Sequence, residues 1–155
     1  MSDQKDRSGA ESLVKALVDS KADVCFANPG TSEMHFVAAL DNNPEMRCVL
    51  GLFEGVVTGA ADGYARMTRR PAVTLTHLGP GLGNGLANLH NAKKARTPVV
   101  NIVGDHATYH RKYDAPLTSD VAGFAAPVSG WVKSSESADE VAADGAAAVQ
   151  AAMAP

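Results

Sequence analysis

The 155-residue sequence has little from which to build a disulfide framework, a metal cage or a membrane span. It holds two cysteines, Cys25 and Cys48, each inside an apolar run. Two buried thiols are expected there, rather than a bridge or a metal site. Aromatic residues make up only 5% of the chain, so small side chains must do much of the packing. No apolar run approaches the roughly 20 residues of a spanning helix. Excess positive charge is also missing: the formal net charge is −3, which offers nothing to nucleic acid or to an anionic membrane surface. The arginines that do cluster, Arg66, Arg69 and Arg70, are expected to complement the dipole at a helix end. The start of the chain, polar and charged from Met1 to Arg7, lacks the apolar stretch of a secretory signal. Residues 1–8 read as a disordered lead-in, and a cytoplasmic protein is the expectation.

What is present is one domain's worth of alternating patterns over residues 9–155. Leu13, Val14, Leu17 and Val18 recur at helical spacing. Val24-Cys25-Phe26-Ala27 reads as a buried strand, stopped by Asn28-Pro29-Gly30. Thr31 or Ser32 is expected to cap the next helix, with Glu33 in its first turn. Arg47–Phe53 reads as a second strand and 55–67 as a helix. Ala72–Thr76 follows as a third strand. Gly79-Pro80-Gly81-Leu82-Gly83 reads as a turn, leading into a helix from Asn84 to about Ala95. Residues 98–103 form a continuous apolar fourth strand, as expected of a parallel strand covered on both faces. A long connection, 105–126, precedes an expected strand over 129–134. A capping box at Ser137-Ala138-Asp139-Glu140 is expected to open a closing helix. The alternation predicts an α/β fold: a doubly wound, largely parallel sheet with helices on both faces. Ligands of such sheets sit beyond the carboxyl ends of the strands. Those ends carry Asn28 to Thr31, Glu54, His77 and Asp105-His106.

Glu54 interrupts an otherwise apolar stretch between Phe53 and Gly55-Val56-Val57. A carboxylate in that setting is expected to be desolvated and suited to donating or sharing a proton. Its position fits equally well an acid that stabilises a helix N-terminus. Gly55, Gly59 and Gly63 then recur at intervals of four, so this helix is expected to press against its own sheet or a second subunit. His77 closes the third strand at the ligand edge, where an imidazole can move protons or simply bond into the strand end. His35 and His90 read as helix residues. His106 and His110 lack a third ligand, and no metal is assigned to them. The alternating glycines contain no G-x-G-x-x-G, and no Gly-Lys-Ser/Thr occurs, so a nucleotide reading is weak.

Taken in order, these residues resemble a known family. Phe53-Glu54-Gly55-Val56-Val57-Thr58-Gly59-Ala60-Ala61-Asp62-Gly63-Tyr64-Ala65-Arg66 is similar to the glutamate helix of thiamine-diphosphate enzymes of the acetolactate synthase and decarboxylase superfamily. Thr76-His77-Leu78-Gly79-Pro80-Gly81-Leu82-Gly83-Asn84 resembles the turn that follows one helix and strand later. Residues 98–104 and Asn28-Pro29-Gly30-Thr31 resemble further parts of the pyrimidine-binding domain. The resemblance implies that Glu54 hydrogen-bonds the aminopyrimidine ring, favouring the imino form that removes the thiazolium proton and gives the ylide that attacks a 2-oxo acid. It implies that Pro29, Pro80 and Asn84 line the pyrimidine pocket. Gly30, Thr31 and His77 would face the substrate.

Histidine at position 77 and the Asn-Pro-Gly-Thr turn are closer to benzoylformate decarboxylase, whereas Gly79-Pro80-Gly81 is closer to acetolactate synthases. Asp105 departs from the glutamine of many synthases. The family's diphosphate-binding domain, with a Gly-Asp-Gly motif that holds Mg²⁺, has no counterpart in these 155 residues. The resemblance therefore implies a site completed by a diphosphate-binding domain of the same or a partner chain, in a homo-oligomer (dimer or tetramer). The sequence would then be part of a longer enzyme or one subunit of a split decarboxylase. A non-catalytic assembly or regulatory module with the same fold is the rival reading.

Overall fold

A computed structural model describes residues 7–154; most of the expected lead-in lies outside the described residues. Helix α1, Gly9–Asp19, opens on a capping box in which the Ser8 hydroxyl accepts from Glu11 N and the Glu11 carboxylate accepts from Ser8 N. Four strands follow, β1 Val24–Asn28, β2 Arg47–Leu50, β3 Ala72–Thr76 and β4 Val99–Val103. Between and after them run α2 Met34–Asp41, α3 Glu54–Thr68, α4 Leu78–Lys94, α5 Val121–Ala125 and α6 Val141–Met153. The sheet is wholly parallel, in the order β2-β1-β3-β4. Among the described residues no helix is long and apolar enough to cross a membrane.

Both faces of the sheet are covered, as the continuous apolar strands require. On one face Cys25, Ala27, Val73, Leu75 and Val100 pack with Val14 and Leu17 of α1, Phe36 and Ala39 of α2 and Val149 of α6. On the other, Ala61 and Ala65 of α3 lie against Ala72, Phe26 and Val99. Every residue of β3 is buried. The chain steps from β1 outward to β2, then crosses back over β1 to β3 and on to β4. The order therefore reverses between β1 and β3, and the crevice beyond their carboxyl ends is the topological switch point. Asn28-Pro29-Gly30 and His77 stand at that crevice.

Several local expectations change. The glycine run 79–83 is not a turn: it forms the opening turns of α4, which starts directly after His77. Pro80 is tolerated because amides in a helix's first turn have no intrahelical partner. Leu78, buried at the start of this helix, has φ of 48°, a left-handed backbone that swings the chain sharply out of β3. Residues 129–134 form no strand; Trp131 and Val132 are both exposed, so the segment has no apolar side to bury. Ser137 does not cap α6: position N-cap falls to Glu140, without a side-chain cap. Neither Thr31 nor Ser32 caps α2. A 3₁₀ turn, Thr31–Glu33, intervenes, and Gly30 sits at its N-cap.

The cysteines are neighbours in register on β1 and β2, both free, but only Cys25 is buried. Cys48 is exposed because β2 is the edge of the sheet. The adjacent Cys25 thiol holds the Cys48 thiol down at about 7, outweighing partial burial. Cys48 should therefore react with iodoacetamide half-maximally near pH 7, and Cys25→Ala should move that midpoint up toward the ordinary value of about 8.5. A midpoint unchanged by the substitution refutes the coupling.

Candidate functional site

Glu54 is the first residue of α3 and is buried, 8% exposed. One carboxylate oxygen, Oε2, accepts from Asn84 Nδ2 at 3.0 Å. The other, Oε1, faces Gly81, where an added Cβ would stand 2.9 Å from it and 3.3 Å from His77 Cβ. Gly81 thus leaves a gap between the acid and the histidine that any side chain would fill. The acid is held from behind. The fully buried Thr58 hydroxyl lies 3.0 Å from the Glu54 carbonyl and 3.2 Å from the Gly85 carbonyl, joining α3 to α4. Asn88 Nδ2 donates to the Gly55 carbonyl at 2.6 Å. Gly85 is required there: a Cβ would come within 2.8 Å of Thr58 Cγ2.

His77 sits on the other side of the gap, its side chain 24% exposed. Its Nδ1 lies 2.7 Å from Glu33 Oε2 and 3.2 Å from Ser32 Oγ. Glu33 also accepts from the Gly30 amide at 2.8 Å and from the Ser32 hydroxyl at 2.6 Å. Gly30 lies against the imidazole so closely that a Cβ would overlap the ring. Gly104, at the end of β4, would likewise overlap Glu33 if it carried a Cβ. Asn28 Nδ2 donates to the Gly51 carbonyl at 2.8 Å, fixing the ends of β1 and β2 to each other.

The structure thus brings together Glu54, Asn84, His77 and Gly30. Pro29 and Thr31 flank Gly30, and Pro80 is exposed on the first turn of α4; none of these bonds to Glu54 or His77. The helix glycines divide. A Cβ on Gly59 would reach Asn88 Nδ2 at 3.0 Å, whereas Gly63 faces open space. Sequence reasoning missed Glu33, Ser32, Thr58 and Asn88. Glu33 alone carried a signal, as an acid three residues after Gly30 in the position of a capping-box acid. His106 and His110 lie side by side, with ring centroids 5.4 Å apart and the rings tilted by 57°.

A parallel α/β sheet whose switch point presents a buried carboxylate and a tethered imidazole across a glycine gap defines a small-molecule or cofactor-binding domain. Residues 7–130 match the family described as "Thiamine pyrophosphate enzyme, N-terminal TPP binding domain", and the chain belongs to it. It is 68% identical over 143 residues to a Mycobacterium tuberculosis protein provisionally named acetolactate synthase large subunit IlvX, covering 92% of this chain and 28% of that protein. It is 34% identical over 131 residues to benzoylformate decarboxylase of Pseudomonas aeruginosa, covering 84% of this chain and 24% of that enzyme. Among solved structures, a thiamine diphosphate-dependent 4-hydroxybenzoylformate decarboxylase from Rhodococcus jostii superposes with a TM-score of 0.90 at 26% identity. That alignment covers 96% of this chain and 28% of the other. The chain therefore spans about a quarter of the length of these relatives.

Proposed function

We propose that this domain supplies the pyrimidine side of a thiamine-diphosphate site in an enzyme that decarboxylates or ligates 2-oxo acids. The carrying observation is the Glu54 carboxylate, buried, anchored through one oxygen by Asn84 and free at the other beside Gly81. The donor set fits the cofactor's aminopyrimidine end: a carboxylate oxygen to accept from a ring or amino N–H, an amide at Asn84 and a gap that only glycine leaves open. Thiamine diphosphate, when bound, supplies an electron sink for breaking or making the bond beside a 2-oxo group.

Glu54 accepts a hydrogen bond and shares a proton at Oε1, while Asn84, Pro29 and Pro80 border the ring. His77, with Gly30 and Thr31, faces the substrate and exchanges a proton with it. The grip on the diphosphate, and the Mg²⁺ that accompanies it, belong to a diphosphate-binding domain of the same or a partner chain. A homo-oligomer is the setting in which the site is completed. Exposed apolar side chains surround Glu54 in sequence, with Leu52 89% and Val56 60% exposed. A covering surface at that edge would bury them and dry the carboxylate.

Calorimetry tests the reading. Thiamine diphosphate should bind in preference to ATP and NAD, weakly to this chain alone and tightly once a diphosphate-binding domain is present. Equal binding of all three compounds, or none of the cofactor in the complete enzyme, sinks the proposal.

A further inference from the structure

Glu33 is a buried acid to which the proposed chemistry gives no task. Its side chain is 0% exposed, in a turn between β1 and α2 that a surface acid would ordinarily occupy. The cost of placing a carboxylate there is offset by three donors. Gly30 N and His77 Nδ1 point at Oε2, and the Ser32 hydroxyl at Oε1.

The bonding around His77 Nδ1 admits one arrangement of hydrogens. As a carboxylate, Glu33 presents at Oε2 an acceptor only. The Ser32 hydroxyl, 3.2 Å from Nδ1, has its hydrogen committed to Glu33 Oε1 and can offer the ring only a lone pair. Both neighbours of Nδ1 are acceptors, so Nδ1 carries a hydrogen in the neutral as in the charged imidazole. Nε2 bonds to no group among the described residues. Gly30 and Gly104 let the ring and the carboxylate lie this close to the backbone.

We propose that Glu33, assisted by Ser32, is a positioning residue that locks His77 as the Nδ1–H tautomer, leaving Nε2 as the one atom through which the imidazole exchanges a proton with substrate. This rests on the reading of His77 as substrate-facing. The proton balance is closed at Nε2. A proton leaving the substrate forms a bond to Nε2 and one delivered breaks that bond, while Nδ1–H stays intact and Glu33 remains a carboxylate.

The test reads the tautomer directly. Ring ¹⁵N spectra of the full chain, without cofactor, are recorded at about pH 8, above the ordinary histidine range. His77 signals are assigned by their loss in His77→Gln. The wild-type protein should show hydrogen on Nδ1 and a bare Nε2. In Glu33→Leu the acceptor facing Nδ1 is gone, and the Ser32 hydroxyl, released from Oε1, can point its hydrogen at Nδ1. A mixed or reversed tautomer is then expected. Ser32→Ala keeps the carboxylate and should keep the wild-type pattern. Hydrogen on Nε2 in the wild type, a Glu33→Leu spectrum equal to wild type, or a reversal in Ser32→Ala overturns the lock. In the complete enzyme Glu33→Leu should lower kcat about tenfold, with KM and thiamine-diphosphate affinity near wild type. An equal loss in cofactor affinity would instead make Glu33 part of the binding framework and overturn its positioning role. Failure of the cofactor to bind the wild type refutes the functional reading and leaves the spectra to decide the tautomer separately.

Discussion

Glu54→Gln in the complete enzyme is expected to lower turnover about 10²- to 10⁴-fold at saturating thiamine diphosphate, with the fold unchanged. The substitution keeps size and shape. A glutamine oxygen can still accept from Asn84 Nδ2, as Glu54 Oε2 does at 3.0 Å. The amide NH₂ then falls where Oε1 now faces the Gly81 gap, and a donor replaces the acceptor proposed to meet the aminopyrimidine. Thr58 and Asn88 bond to backbone carbonyls of Glu54 and Gly55, so the frame of the site does not depend on the charge. If both draw on a proton shared at Glu54, hydrogen–deuterium exchange at the cofactor's reactive carbon should slow in parallel with turnover. Near-normal turnover in this variant would remove Glu54 from the chemistry and leave it as a helix-terminal acid.

Most of the frame was legible in the sequence because each strand is a short apolar run with turn residues after it. Ala72–Thr76 was read to the residue, since both faces of a central parallel strand are buried and the pattern has sharp ends. The edge was less legible. Arg47 to Phe53 reads as one strand, yet β2 stops at Leu50, and the same edge position exposes Cys48. The beginning of α4 was misread because Gly-Pro-Gly is a turn signal locally. Its glycines answer to partners distant in sequence: Gly79 to Ser119, Gly81 to Glu54 and Gly85 to Thr58. Glu33 was hidden for the same reason. An acid in a first turn normally faces water, and only the arrival of Gly104 and His77 buries it. Periodicity reports which face of an element is covered, but not which polar group ends up enclosed where several elements meet.

His77→Ala should lower kcat in the complete enzyme about 10²-fold or more, while exchange at the cofactor's reactive carbon stays close to wild type. The two side chains are held separately: His77 bonds to Glu33 beyond the end of β1 and Glu54 to Asn84 on α4, with the Gly81 gap between them. Alanine, however, also strips Glu33 of one of its three donors, so part of any loss could come from a disturbed β1 turn. His77→Asn removes that ambiguity. The asparagine amide can take the place of Nδ1–H and donate to Glu33, but nothing replaces Nε2. If proton exchange at Nε2 is the task of this side chain, asparagine must be about as slow as alanine while matching wild type in thermal stability. An asparagine variant with wild-type kcat would show that the tether to Glu33, and not the imidazole's second nitrogen, is what the reaction uses. Loss of carbon exchange in either variant would instead show that the acid and the histidine act as one unit across the gap.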